Sequence, residues 1–118
     1  MTDPVYKLAD RTEWAQARAS GAYAGSAADR ADGYIHMSTT AQLAETARRH
    51  YADREGLVLV AIDPLALGEA LRWEPSRGGD LFPHLYGPLP LAAALSERAL
   101  SVAKNGTMTF DDGATGWP

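Results

Sequence analysis

Residues 57–62 read LVLVAI, an unbroken apolar run in which Val and Ile alternate with Leu and Ala. Side chains of a strand point to its two faces in turn, so a run that is apolar on both predicts a central strand covered on both sides. Asp63-Pro64 stops it and Gly68 marks the next turn. Downstream, residues 71–74 predict a short strand with Leu71 and Trp73 on one side. Residues 91–103 resume a strand pattern, and Asn105-Gly106 predicts a two-residue hairpin turn into residues 107–110.

Upstream, residues 4–9 (PVYKLA) read as a strand, with Val5 and Tyr6 suited to a half-buried pleated surface. Asp10 opens a helix: its carboxylate can accept from exposed backbone amides, with Glu13 three residues on. Trp14, Ala17 and Arg18 share a face on which Trp14 is the core anchor, and Ser20-Gly21 ends the helix. Residues 22–32 read as a loop with one helical turn at residues 26–30, and residues 33–38 (GYIHMS) as a second strand. Thr39 and Gln42 form a capping box for a helix to about Asp53, with a stripe of Leu43, Ala47 and Tyr51.

Residues 75–90 (PSRGGDLFPHLYGPLP) hold four prolines and three glycines, a density that argues against any regular element. Leu81, Phe82, Leu85, Tyr86 and Leu89 make the stretch apolar, so it is expected as an ordered loop docked on the core. Helices early and strands late predict an α+β fold with a mixed or antiparallel sheet and two N-terminal helices. A small α/β sandwich is the alternative. The length of 118 residues fits one domain over residues 1–110, with residues 111–118 (DDGATGWP) as a mobile tail.

Composition narrows the function classes. With 46% hydrophobic and 22% charged residues, the chain is an ordinary globular sequence and not a disordered one. Zero cysteines exclude disulfides, thiolate nucleophiles and Cys-based metal sites. A net charge of −4 carries no strong nucleic-acid footprint. No apolar run suits a membrane span and the N-terminus does not read as a signal peptide, so a cytoplasmic location is expected. No metal is expected, because the three histidines lack ligand spacing. Walker, Rossmann and nucleophile-elbow patterns are missing.

Candidate site residues come from three places. On the strand 33–38, Ile35 and Met37 share the core face, while Tyr34, His36 and Ser38 present a phenol, an imidazole and a hydroxyl on the other. That row suits a sugar or phosphate, or simply a face turned to water. Lys7 alternates with Tyr6 and Leu8 and is expected to point away from the core, where it would attract an anion. In residues 73–79, Arg77 can grip phosphate bidentately beside Gly78-Gly79, and Glu74 can orient a hydroxyl or act as a base. His84 sits in a rigid apolar stretch, suited to a structural bond or to a ligand. His50, near a helix end, reads as a capping residue.

The segments Gly33-Tyr34-Ile35-His36-Met37-Ser38-Thr39, Leu71-Arg72-Trp73-Glu74 and Phe82-Pro83-His84-Leu85-Tyr86-Gly87-Pro88-Leu89 together resemble the family called domain of unknown function 952. The resemblance implies a fold grouped with the ADP-ribosyltransferases, a split and mainly antiparallel sheet around a dinucleotide cleft. It also implies NAD as a cofactor candidate. His36 and Ser38 are similar to the His-x-Ser element of RNA 2′-phosphotransferases, whereas Lys7 stands where such folds place a first-strand histidine. On these grounds Lys7, Tyr34, His36, Ser38, Arg77 and Tyr86 are the expected ligand-binding residues, and Glu74 and His84 the expected catalytic ones. The expected ligand is NAD-like, ADP-ribosyl or phosphorylated. The alternatives are a non-catalytic nucleotide or anion module, and a protein-interaction domain using the apolar loop 81–89.

Overall fold

In the computed structural model, which describes residues 2–117, strand β4 (Arg54–Ile62) lies between β1 (Val5–Asp10) and β8 (Ala94–Val102). Both pairings are antiparallel, and β9 (Met108–Phe110) completes a four-stranded sheet in the order β1-β4-β8-β9. The two apolar faces of β4 serve two cores. Leu57 and Leu59 pack with Leu8, Leu43, Ala47 and Leu100, under helix α3 (Thr40–His50). Val58, Val60 and Ile62 pack with Trp14, Tyr23, Ile35, Met37 and Leu85 on the opposite face.

Helix α1 (Arg11–Ser20) starts where Asp10 accepts from the amides of Thr12 and Glu13, and it ends at Gly21 in the left-handed conformation. Trp14 is its fully buried anchor. Helix α3 has the expected reciprocal cap between Thr39 and Gln42, and it stops at Tyr51, slightly short of Asp53.

The region read as a loop at 22–32 is more regular than expected. Strand β2 (Ala22–Tyr23) pairs with β7 (Leu89–Pro90), and α2 (Ala27–Asp32) follows a capping box between Ser26 and Asp29. Gly25 is required here: its φ is +99°, and an added Cβ would stand 2.8 Å from the Asp29 Cβ.

Residues 75–90 correct the sequence expectation most. They form no docked loop; β6 (Leu81–Leu85) is the middle strand of a three-stranded antiparallel sheet between β3 (Ile35–His36) and β5 (Leu71–Pro75). Pro83 is tolerated in this middle strand for a local reason. Its carbonyl accepts from Met37 N–H at 3.0 Å, so its missing N–H would point to the same side, just beyond the end of β3. No ladder bond of β3 is lost. Phe82, His84 and Leu85 are buried, which removes most of the apolar surface that an interaction loop at 81–89 would need.

The fold is therefore α+β with mainly antiparallel sheets, and the α/β sandwich is set aside. The hairpin turn between β8 and β9 is longer than two residues: Gly106 N–H donates to Ala103 and Ala103 N–H to Thr107. Gly106, at φ +91°, also presses on Arg48, whose Cα would lie 2.9 Å from an added Cβ.

Where composition suggested a mobile tail, the described residues 111–117 turn back on the sheet. Gly116 N–H donates to the Met108 carbonyl at 2.8 Å. Trp117 Nε1–H donates to Thr40 at 2.9 Å, and its ring meets Tyr6 edge-on at 5.0 Å. Pro118 lies outside the described residues. Among the described residues, no helix is long and apolar enough to cross a membrane.

Candidate functional site

The two larger sheets share a core, and among the described residues one pair joins them by backbone hydrogen bonds. Tyr6 and Ser38 exchange backbone bonds of 2.8 and 2.9 Å, joining β1 to the chain just after β3. Past that link the strands part. Lys7 Nζ spans the gap and donates to the His36 carbonyl at 3.0 Å, where a strand ladder would have continued. A cleft of about 600 Å³ opens at this divergence.

Lys7 does not point away from the core. Both faces of β1 are covered, and Lys7 lies on the same face as buried Val5 and Ala9, itself only 3% exposed. A buried ammonium needs a counter-charge. Asp29 supplies it, with its Oδ2 2.8 Å from Lys7 Nζ. Asp29 is 2% exposed and also accepts from Ser26 N–H at 2.9 Å, His36 N–H at 3.1 Å and His36 Nδ1 at 2.6 Å. Burial pushes its carboxyl up. The hydrogen bond from His36, the charge and hydrogen bond of Lys7, and the Ser26 amide outweigh this and hold it well below the usual carboxylate range. His36 Nε2 faces Asp32 Oδ2 at 2.9 Å, so both ring nitrogens meet carboxylates.

The α3 side of the cleft is built differently. Ser38 Oγ and Thr46 Oγ1 are 2.8 Å apart. Arg77 Nη2 donates to Thr46 at 3.4 Å, and its guanidinium lies 4.7 Å from the centre of the Phe82 ring, a cation–π contact that steadies it. Arg77 forms no salt bridge among the described residues. Burial and then the Arg49 charge lower its pKa. His50, read as a helix cap, lines this side too; burial and the charges of Arg77, Arg49 and His36 lower its pKa. Arg54 adds a further cation.

His84 lines the cleft from β6 and is 3% exposed. Its Nδ1 lies 2.8 Å from Glu74 Oε1, which also accepts from the Tyr86 hydroxyl at 2.8 Å. Those two hydrogen bonds, from His84 first, lower the Glu74 pKa, and the same bond raises that of Tyr86. Tyr34 stacks on the His84 ring at 4.2 Å, and Arg72 lies 4.6 Å over the Tyr86 ring. His84 Nε2 has no hydrogen bond among the described residues.

Of the residues read from the sequence, Lys7, His36, Ser38, Arg77 and His84 share the cleft lining. Tyr34, Glu74 and Tyr86 are not on it; they back His84. The reading missed Tyr23, Asp29, Thr46, His50 and Arg54 as lining residues. Asp29 carried one usable signal, the Ser26-x-x-Asp29 spacing of a capping box, but its role toward Lys7 and His36 is tertiary.

The chain belongs to the family described as protein of unknown function (DUF952), whose model matches residues 8–97. It is similar to the protein CC0527 from Caulobacter crescentus. The crystal structure of CC0527 superposes with a TM-score of 0.85 at 43% identity, covering 90% of this chain and 93% of that one. The solution NMR structure of CC0527 gives a TM-score of 0.76 at 45% identity, covering 87% of this chain and 89% of that one. No curated protein matches the chain.

Proposed function

We propose that the protein binds a small phosphorylated ligand of the nucleotide or ADP-ribosyl type in this cleft, and that His84 acts on it as an acid–base group. In this reading the split between the sheets serves as an ADP-ribosyltransferase-like cleft. One observation carries it: a half-buried Arg77 without a salt bridge among the described residues, set beside the Ser38 and Thr46 hydroxyls. A guanidinium offers up to five N–H donors, and Arg77 spends one on Thr46. Phosphate would take a bidentate pair from it and further bonds from the hydroxyls. The cleft, at about 600 Å³, falls in the size range of small-molecule sites.

The His84–Glu74 pair supports the acid–base role. A carboxylate on Nδ1 fixes the ring orientation and favours the tautomer whose Nε2 accepts a proton. Glu74 is then a positioning residue, because its carboxylate is held by His84 and Tyr86 and does not line the cleft. That same placement favours a second reading, a binding module without turnover.

Calorimetric titration with ADP-ribose, NAD and a 2′-phosphorylated oligonucleotide tests the proposal. At least one should bind, and Arg77→Ala should weaken it by about 10- to 100-fold, the worth of a charge-assisted hydrogen-bond pair. His84→Gln should retain binding and lose turnover. Binding with no product on long incubation selects the module reading. No binding at millimolar ligand overturns both.

A further inference from the structure

The α1–α2 side of the cleft has its own unmet hydrogen-bonding needs. Tyr23 lines it, is 2% exposed, and its hydroxyl has no hydrogen-bond partner among the described residues. Buried polar groups are nearly always partnered, and one left alone costs about 1–3 kcal/mol. The Tyr23 ring packs at 5.5 Å on buried Trp14, which fixes its direction. Glu13, on the first turn of α1, lines the same side, and its carboxylate makes neither a hydrogen bond nor a salt bridge among the described residues. Burial, followed by the Asp29 and Glu13 charges, pushes the Tyr23 phenol up, so it remains a donor.

A phenol O–H needs an acceptor, and a free carboxylate needs an N–H. A neutral amide group carries both on adjacent atoms. A carboxylate of the same shape would instead meet the unmatched charge of Glu13, whereas the charge of Asp29 is already matched by Lys7. We infer that this side of the cleft is a subsite for an uncharged amide group, with the Tyr23 hydroxyl donating to its carbonyl oxygen and Glu13 accepting from its N–H. The inference rests on the phosphorylated-ligand reading, since the same ligand sets its phosphate against Arg77.

Three probes test it: ribose 5-phosphate, 5-aminoimidazole-4-carboxamide ribonucleotide, and the latter's 4-carboxylate counterpart. The wild type should prefer the carboxamide over the carboxylate by roughly tenfold or more, the scale of one hydrogen bond to a charged group. Tyr23→Phe should remove most of that preference, leave ribose 5-phosphate binding unchanged, and leave thermal stability equal or higher, because an orphan hydroxyl is gone. Glu13→Gln should raise carboxylate binding. Equal binding of carboxamide and carboxylate, or a Tyr23→Phe variant with the wild-type preference, overturns the subsite while leaving the phosphate reading intact. A wild type that binds none of the three probes overturns the subsite, and if it also fails to bind ADP-ribose, NAD and the 2′-phosphorylated oligonucleotide, it overturns the phosphate reading as well.

Discussion

Two charged groups face the same cleft and differ in what they have left to offer. Lys7, Asp29 and His36 form a closed set: the ammonium is taken by Asp29 and a carbonyl, and both imidazole nitrogens by carboxylates. Arg77, Ser38 and Thr46 form an open set, holding one another while most of the guanidinium donors stay free. Burial alone therefore does not mark a ligand site. A buried ion pair holds α2 against the sheets, and a half-buried cation with unspent donors is what a phosphate would meet.

The contrast sets distinct expectations for each half. Asp29→Ala leaves Lys7 buried and unpaired, and should cost about 3–5 kcal/mol in urea unfolding. A loss under about 1 kcal/mol would erase the distinction between the closed and open sets. Acid should act through the same group. The folded-state pKa of Asp29 lies below its unfolded value of about 3.9, so its contribution is present above that pH and fades as pH falls through the folded value. Stability of the wild type should drop below about pH 4, and the already weakened Asp29→Asn variant should show a shallower acid slope. Arg77→Ala, by contrast, should leave urea stability within about 1 kcal/mol while ligand affinity falls. The smallest effect belongs to Glu74→Gln: stability almost unchanged, with the Nδ1–H resonance of His84 shifted in NMR because its carboxylate acceptor is gone.

The closed and open sets also differ in how far the sequence disclosed them. The scaffold beneath both was legible because its signals are local. The run 57–62 declared a doubly covered strand, Asp10 and the Thr39–Gln42 pair declared helix starts, and each lies where expected. Arg77 and Ser38 stand out in the sequence as groups suited to an anion, whereas their meeting through Thr46 is tertiary. Lys7 was misread because strand alternation says which residues share a face and not which face is covered. Its partner lies 22 residues away. Residues 81–85 were misread for a related reason. Proline is a strong local breaker, but β3 ends just where the missing Pro83 N–H would have been needed. Trp117 likewise docks through a bond to Thr40, a contact no local pattern announces.

The most direct test of the account is a two-dimensional NMR titration of labelled protein with ADP-ribose, run in parallel on the wild type and Arg77→Ala. The account predicts wild-type shifts concentrated at Ser38, Thr46, His50 and Arg77, smaller ones at Lys7 and Asp29, and loss of the response in the variant. An unmoved spectrum at millimolar ligand, or an identical response in Arg77→Ala, would contradict it.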